Sequence, residues 1–322
     1  MRRRSVRTRP AAALALLAAG AAVLGGGGPS GAVPAAATGA PQAVRSTGQE
    51  QAGQEEAESC DLTSTVPPSS VDGTAVKAIK AKGTLIIGVD QNSYRWGARN
   101  PNTGELEGFD IDLARAIGAA IMDNPTKVVL KPVSTAGRID ALTGNQVDLI
   151  VRTMTVSCAN LKKVAFSRSY FNIKQRVLVP RSSTAKNLDE AIGGKTVCAA
   201  DGSVAKDVLN AKKTAKQLVL VTNQLDCLVR MQLGKVDATM TDDELAVGQA
   251  AQDQTVKVVD GFEQPETIGV AMRQNSTDLT ARVNQVISDY YADKRWQKSF
   301  EQWVQPYLPE NSKDPGLYWP AR

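Results

Sequence analysis

The chain of 322 residues contains no histidine. That absence removes Ser-His-Asp and Cys-His nucleophilic machinery, so an enzymatic reading would have to rest on carboxylates, lysine or tyrosine. Cysteine is scarce as well, with four residues, Cys60, Cys158, Cys198 and Cys227, and no CxxC pair. Zinc sites of the cysteine and histidine type are therefore not expected, and neither is any other metal or cofactor. No cysteine closes the apolar stretch Ala11 to Leu24, so lipid attachment there is not indicated. The stretch is also shorter than the roughly 20 residues that span a bilayer, and Gly25 to Gly28 end it. A charge bias is missing too. The net charge is +5, but Arg2, Arg3, Arg4, Arg7 and Arg9 precede every acidic residue, and without them 33 basic residues face 33 acidic ones. Such a balance offers no electrostatic reason for nucleic acid or an anionic membrane surface as partner.

What is present begins with an export signal: an arginine-rich start, a short apolar stretch, and small residues around Ala35 to Ala37 where a peptidase could cut. Residues 1–37 are expected as a signal peptide, which places the mature protein outside the cytoplasm, on the extracellular or cell-envelope side. An even number of cysteines in an oxidising compartment predicts two disulfides, with three connectivities open. Residues 38–74 hold almost no large apolar side chain and are expected as a disordered linker. Beyond them, β-branched runs alternate with amphipathic stretches: Leu85 to Val89, Phe109 to Met122, Val128 to Val133. In the second of these, Phe109, Leu113, Ile117 and Ile121 recur every fourth residue and line one helical face. The alternation continues through strand Val236 to Met240 and helix Asp243 to Ala251, and the segment from Thr277 to Leu308 is helical and aromatic. This order predicts an α/β protein with mostly parallel sheets.

Several segments taken together resemble a known family. They are Gly83-Thr84-Leu85-Ile86-Ile87-Gly88-Val89-Asp90, Gly108-Phe109-Asp110-Ile111-Asp112-Leu113-Ala114, Val147-Asp148-Leu149 leading into Thr153-Met154-Thr155, Val164-Ala165-Phe166-Ser167, Gly194 to Cys198, and Val236 to Asp243. In order and spacing they are similar to the polar amino-acid-binding proteins of bacterial ABC importers, the family 3 extracellular solute-binding proteins of glutamate or glutamine type. The cysteine positions resemble the actinobacterial branch. The resemblance implies a type II periplasmic-binding-protein fold, two α/β lobes joined by a double-crossover hinge. Lobe 1 is expected at 75–178 plus 268–322 and lobe 2 at 179–267, closing over a ligand by hinge motion. Given those lobes, the pairing expected is Cys60 with Cys158 and Cys198 with Cys227, because a bridge between lobes would oppose the hinge.

An amino acid presents an ammonium and a carboxylate beside one carbon, so a dry cleft must supply an acid for one and donors for the other. By resemblance Asp242, ending a strand and opening a helix, holds the ammonium, while Asp243 caps the helix. Thr155 matches the threonine that binds the carboxylate. Five residues later, Asn160 stands where the family has an arginine, and it offers neutral donors without the bidentate fork. Arg95, Arg138 and Arg152, the last beside Thr153, are the possible substitutes. Ser203 opens a second-lobe helix whose backbone donors face the carboxylate in relatives. Tyr94 and Trp96 stand where relatives cover the ligand with aromatics. The expectation is a monomeric binding protein, without enzymatic activity, that delivers a polar amino acid of the glutamate, aspartate or glutamine class to the membrane permease of an ABC importer. Two other readings stay open: a receptor presenting its ligand state to a membrane sensor, and a dehydratase-like enzyme using cleft carboxylates.

Overall fold

The computed structural model describes residues 60–308 together with 312–314, 316 and 318. The signal-peptide expectation and the first part of the linker, residues 38–59, lie outside the described residues. From Cys60 the chain is tied down, although composition alone reads it as linker as far as residue 74. Thr65 Oγ1 donates to Phe166 O at 2.9 Å, Ser69 N to Ala281 O at 2.9 Å, and Asn284 Nδ2 to Val66 O at 2.7 Å. The last two bonds satisfy Ser69 N and Val66 O, backbone groups that have no helix or strand of their own to pair in.

Along the chain follow α1 (Thr74–Lys82), β1 (Leu85–Val89), a small antiparallel set of β2 (Asn92–Ser93), β3 (Gly97–Arg99) and β4 (Leu106–Glu107), then α2 (Phe109–Met122), β5 (Val128–Pro132), α3 (Arg138–Thr143), β6 (Leu149–Thr155), α4 (Cys158–Leu161) and β7 (Ala165–Ile173). The chain then crosses into β8 (Gln175–Pro180), α5 (Leu188–Ile192), β9 (Thr196–Ala200), α6 (Val204–Lys212), β10 (Gln217–Val221), α7 (Leu225–Gln232), β11 (Ala238–Asp242), α8 (Asp243–Gln252) and β12 (Val256–Asp260). It returns through β13 (Glu266–Met272) and ends in α9 (Thr277–Ala292) and α10 (Arg295–Trp303).

Two five-stranded sheets result, ordered β5-β1-β6-β13-β7 and β10-β9-β11-β8-β12. In each, four strands share a direction and one opposes them: β13 is antiparallel to β6 and β7, and β8 to β11 and β12. Each opposing strand is the one by which the chain enters that lobe from the other. β7 and β13 escape the reading of hydrophobic runs, since Ser167, Arg168, Ser169 and Asn172 break the pattern in β7. Because Gln175 already pairs within the second sheet and Glu266 within the first, the crossings fall a few residues before the boundaries expected at 178 and 267.

The helix α2 shows how local sequence becomes packing. Phe109, Leu113, Ile117 and Ile121 are all buried against the first sheet, in one core with Leu279, Ile287 and Phe300 of the last two helices. Removing one such aliphatic side chain costs about 2–5 kcal/mol. Its start requires Gly108, at φ +131°, where a Cβ would meet Trp96 O at 2.5 Å. Asp110 and Asp112 in its first turn face the positive end of the helix dipole. The disulfides join Cys60 to Cys158, tying the segment before α1 to lobe 1, and Cys198 to Cys227 within lobe 2, the pairing expected from the lobes.

Candidate functional site

The carboxyl ends of β1, β6, β9 and β11 converge between the lobes, the place where open α/β sheets leave room for ligands. The lobes touch there: Ala136 N donates to Thr222 O at 3.3 Å, and Arg138 Nη2 to Gly202 O at 3.1 Å. What remains between them is a cavity of about 20 Å³, room for about one water. The lobes are therefore closed on one another, and a molecule the size of an amino acid fits between them only when they part.

Arg138, Arg152, Thr153, Thr155, Ser203 and Asp242 all line this cavity. Three expected residues do not. Trp96 is 2% exposed, with ring centroids 4.9 Å from Phe109 and 4.9 Å from Phe171, so it belongs to the lobe 1 core. Tyr94 sets its ring edge on Tyr307 at 6.1 Å, away from the cavity wall. Asn160 turns its amide back to donate to Thr155 O at 2.9 Å, ending β6 instead of facing the cleft. Arg95, considered as a source of charge, lies over the rings of Tyr94 and Tyr307 at 5.1 and 4.1 Å. Asp90, Thr135, Gln224 and Thr241 also line the cavity and were missed as site residues. Position after a strand could have found Asp90, which directly follows β1.

The two cleft arginines are held differently. Arg152, 3% exposed, donates from Nε to Val133 O at 2.8 Å and sets Nη2 3.0 Å from Asp90 Oδ2, an ion pair without hydrogen-bond geometry. Asp90 in turn accepts from Gln91 N at 2.7 Å, Asn92 N at 3.1 Å and Ser93 Oγ at 2.6 Å. Arg138 makes no ion pair among the described residues; it donates to Arg152 O at 3.3 Å and Gly202 O, and its buried Nε has no partner. Burial first, and then repulsion from Arg152, pushes its guanidinium down to about 10. Thr135 Oγ1 is likewise buried without a partner.

On the facing lobe, burial and the nearby Glu266 push Asp242 up to about 7, against the hydrogen bond that Gln175 Nε2 donates to Asp242 Oδ1 at 2.6 Å. Gln175 also donates to Glu266 Oε2 at 2.9 Å, so one amide bridges two acids at the hinge strands. Behind Asp242, burial pushes Glu244 well above the carboxylate range, and neither of its oxygens is bonded. Ser203 caps α6, donating to Ala200 O at 2.7 Å and accepting from Lys206 N at 3.3 Å.

Two facing α/β lobes with a double crossing, closing on a pocket that opposes an acid to a guanidinium, define a hinged small-molecule-binding protein of the type II periplasmic class. The family model of bacterial extracellular solute-binding proteins, family 3, matches residues 85–306, and the chain belongs to that family. The ABC transporter glutamine-binding protein GlnH of Bacillus subtilis (strain 168) is 28% identical over 227 residues, covering 70% of this chain and 83% of that one. The glutamine-binding protein of Geobacillus stearothermophilus is 33% identical over 204 residues, 63% of this chain and 77% of its own length. Among solved structures, a solute receptor for L-cysteine of Neisseria gonorrhoeae shares the fold, with a TM-score of 0.72, 22% identity, and coverage of 77% of this chain and 100% of that one.

Proposed function

We propose that the protein captures a polar amino acid of the glutamine, glutamate and aspartate class outside the cell and, as a monomer, hands it to the permease of an ABC importer. The observation that carries this reading is the charge arrangement of the cleft. Arg152 and Asp90 cancel each other, which leaves the Arg138 guanidinium and the Asp242 carboxyl as the unmatched pair across the lobes. A zwitterion matches it, its carboxylate toward Arg138 and its ammonium toward Asp242. Thr155 and the start of α6 at Ser203 add neutral donors on the carboxylate side. The two sequence relatives from Bacillus subtilis and Geobacillus stearothermophilus support the substrate class, since both are glutamine-binding proteins. Within that class the carboxamide fits best, because no cation is left over for a side-chain carboxylate. Threonines 135, 153, 155 and 241 on the wall favour a side chain that forms hydrogen bonds. Binding without turnover is the reading that the two sequence relatives support, both being binding proteins.

A thermal-shift screen of the twenty amino acids tests this directly. Ligand at a hundred times its Kd stabilises the native state by about 2.7 kcal/mol. Glutamine is expected to raise the melting temperature most. A screen in which no amino acid moves it rejects the proposal.

A further inference from the structure

The strand β6 brings Arg152, Thr153 and Thr155 to the same cavity, which a regular strand cannot do, since its side chains alternate between faces. The register explains the exception. Met154 pairs with Gly269 and Ile150 with Ala271, so Val151, Arg152 and Thr153 together oppose Val270 alone. Such a bulge re-aims side chains beside functional sites. It also places Thr153 at φ +39°, where it is the only β-branched residue with positive φ among the described residues. For threonine this conformation is strained and has to be held by its surroundings.

The group that holds it is Asp110, from the first turn of α2. Asp110 Oδ2 accepts from Thr153 N at 2.8 Å, and Oδ1 accepts from Tyr170 OH at 2.8 Å. The carboxylate is 1% exposed and does not line the cavity. The carboxylate offers a separate oxygen to each donor, which neither the single oxygen of a hydroxyl nor an aliphatic side chain in its place could do. We infer that Asp110 is a positioning residue of the binding site: by holding the Thr153 amide it fixes the bulge that presents Arg152, Thr153 and Thr155 to the ligand. The inference rests on the cleft being the amino-acid site.

The test is calorimetric binding of glutamine, or of the best ligand in the screen above, to wild type, Asp110→Ala, Thr153→Gly and the double variant. Asp110→Ala is expected to weaken binding at least about 30-fold when Thr153 is present, because the strained residue loses its anchor. With glycine at 153, which takes positive φ without strain, the same replacement is expected to weaken binding less than about fivefold. A general loss of stability would not produce that coupling. Equal losses in both backgrounds, or full binding by Asp110→Ala, overturn the assignment and leave the cleft reading standing. Wild-type protein that binds no amino acid overturns both. If Asp110→Ala does not fold, hydrogen exchange at the Thr153 amide of the wild type decides. Strong protection is expected, and exchange as fast as that of an exposed loop amide overturns the inference.

Discussion

On the proposed reading, in which Asp242 receives the ligand ammonium, ligand capture depends on pH in a calculable way. In the closed cleft Asp242 is pushed up to about 7, chiefly by burial and secondarily by Glu266. A ligand ammonium binds the ionised form, so the complex lowers this pKa, and binding below about 7 releases a proton. Affinity therefore rises with pH through this range and levels off above it. With a competent fraction set by a pKa of about 7, the ionised share falls from roughly 0.8 at pH 7.5 to about 0.01 at pH 5, weakening binding roughly 80-fold, or about 2.6 kcal/mol. Calorimetry with glutamine between about pH 5 and 7.5 measures it. Asp242→Asn is expected to flatten the profile and to weaken binding at pH 7.5 by about 3–5 kcal/mol, since it strands the ligand's charge. The ligand-free protein is expected to show the opposite trend in stability. A carboxyl raised from 3.8 gives its full stability below that value and loses it as pH climbs to about 7, so the Asn variant is more stable than wild type at neutral pH without ligand. Equal wild-type affinity at the two pH values, or a variant that keeps the slope, refutes the reasoning.

Asp90→Asn releases Arg152 from its partner and is expected to lower the preference for glutamine over glutamate at least about tenfold, as titrations with both ligands would show; an unchanged ratio counts against the charge matching. Cys198→Ser with Cys227→Ser opens a loop of sequence separation 29 and is expected to destabilise by about 3–4 kcal/mol in the chain-entropy model, read as a lower denaturant midpoint. Asn160→Ala leaves the Thr155 carbonyl without its donor and is expected to cost about 1–3 kcal/mol of stability. Unfolding at the wild-type midpoint would show that water replaces the amide.

How much of this was legible in the sequence depended on how local the cause was. The stripe Phe109, Leu113, Ile117 and Ile121 announced α2 because a helix repeats its buried face every three to four residues, whatever packs against it. The order of the motif blocks carried the two-lobed fold, and the resemblance pointed to Asp242, which lines the cavity where a strand ends and a helix starts. Trp96 read as a ligand cover but lies in the core, and Asn160 read as a donor to ligand but binds its own strand. In both cases the residue type was known and the partner was not. Only tertiary structure decided that Asp90 cancels Arg152 while Arg138 stays unmatched, since the strand ends that bring these charges together lie up to 62 residues apart. The bulge in β6 was hidden for the same reason. It is set by the register of β13, more than a hundred residues later, and by the Asp110 carboxylate. Sequence periodicity records which face of an element is buried, but the pairing of buried charges and the strain at Thr153 exist only once distant segments are packed together.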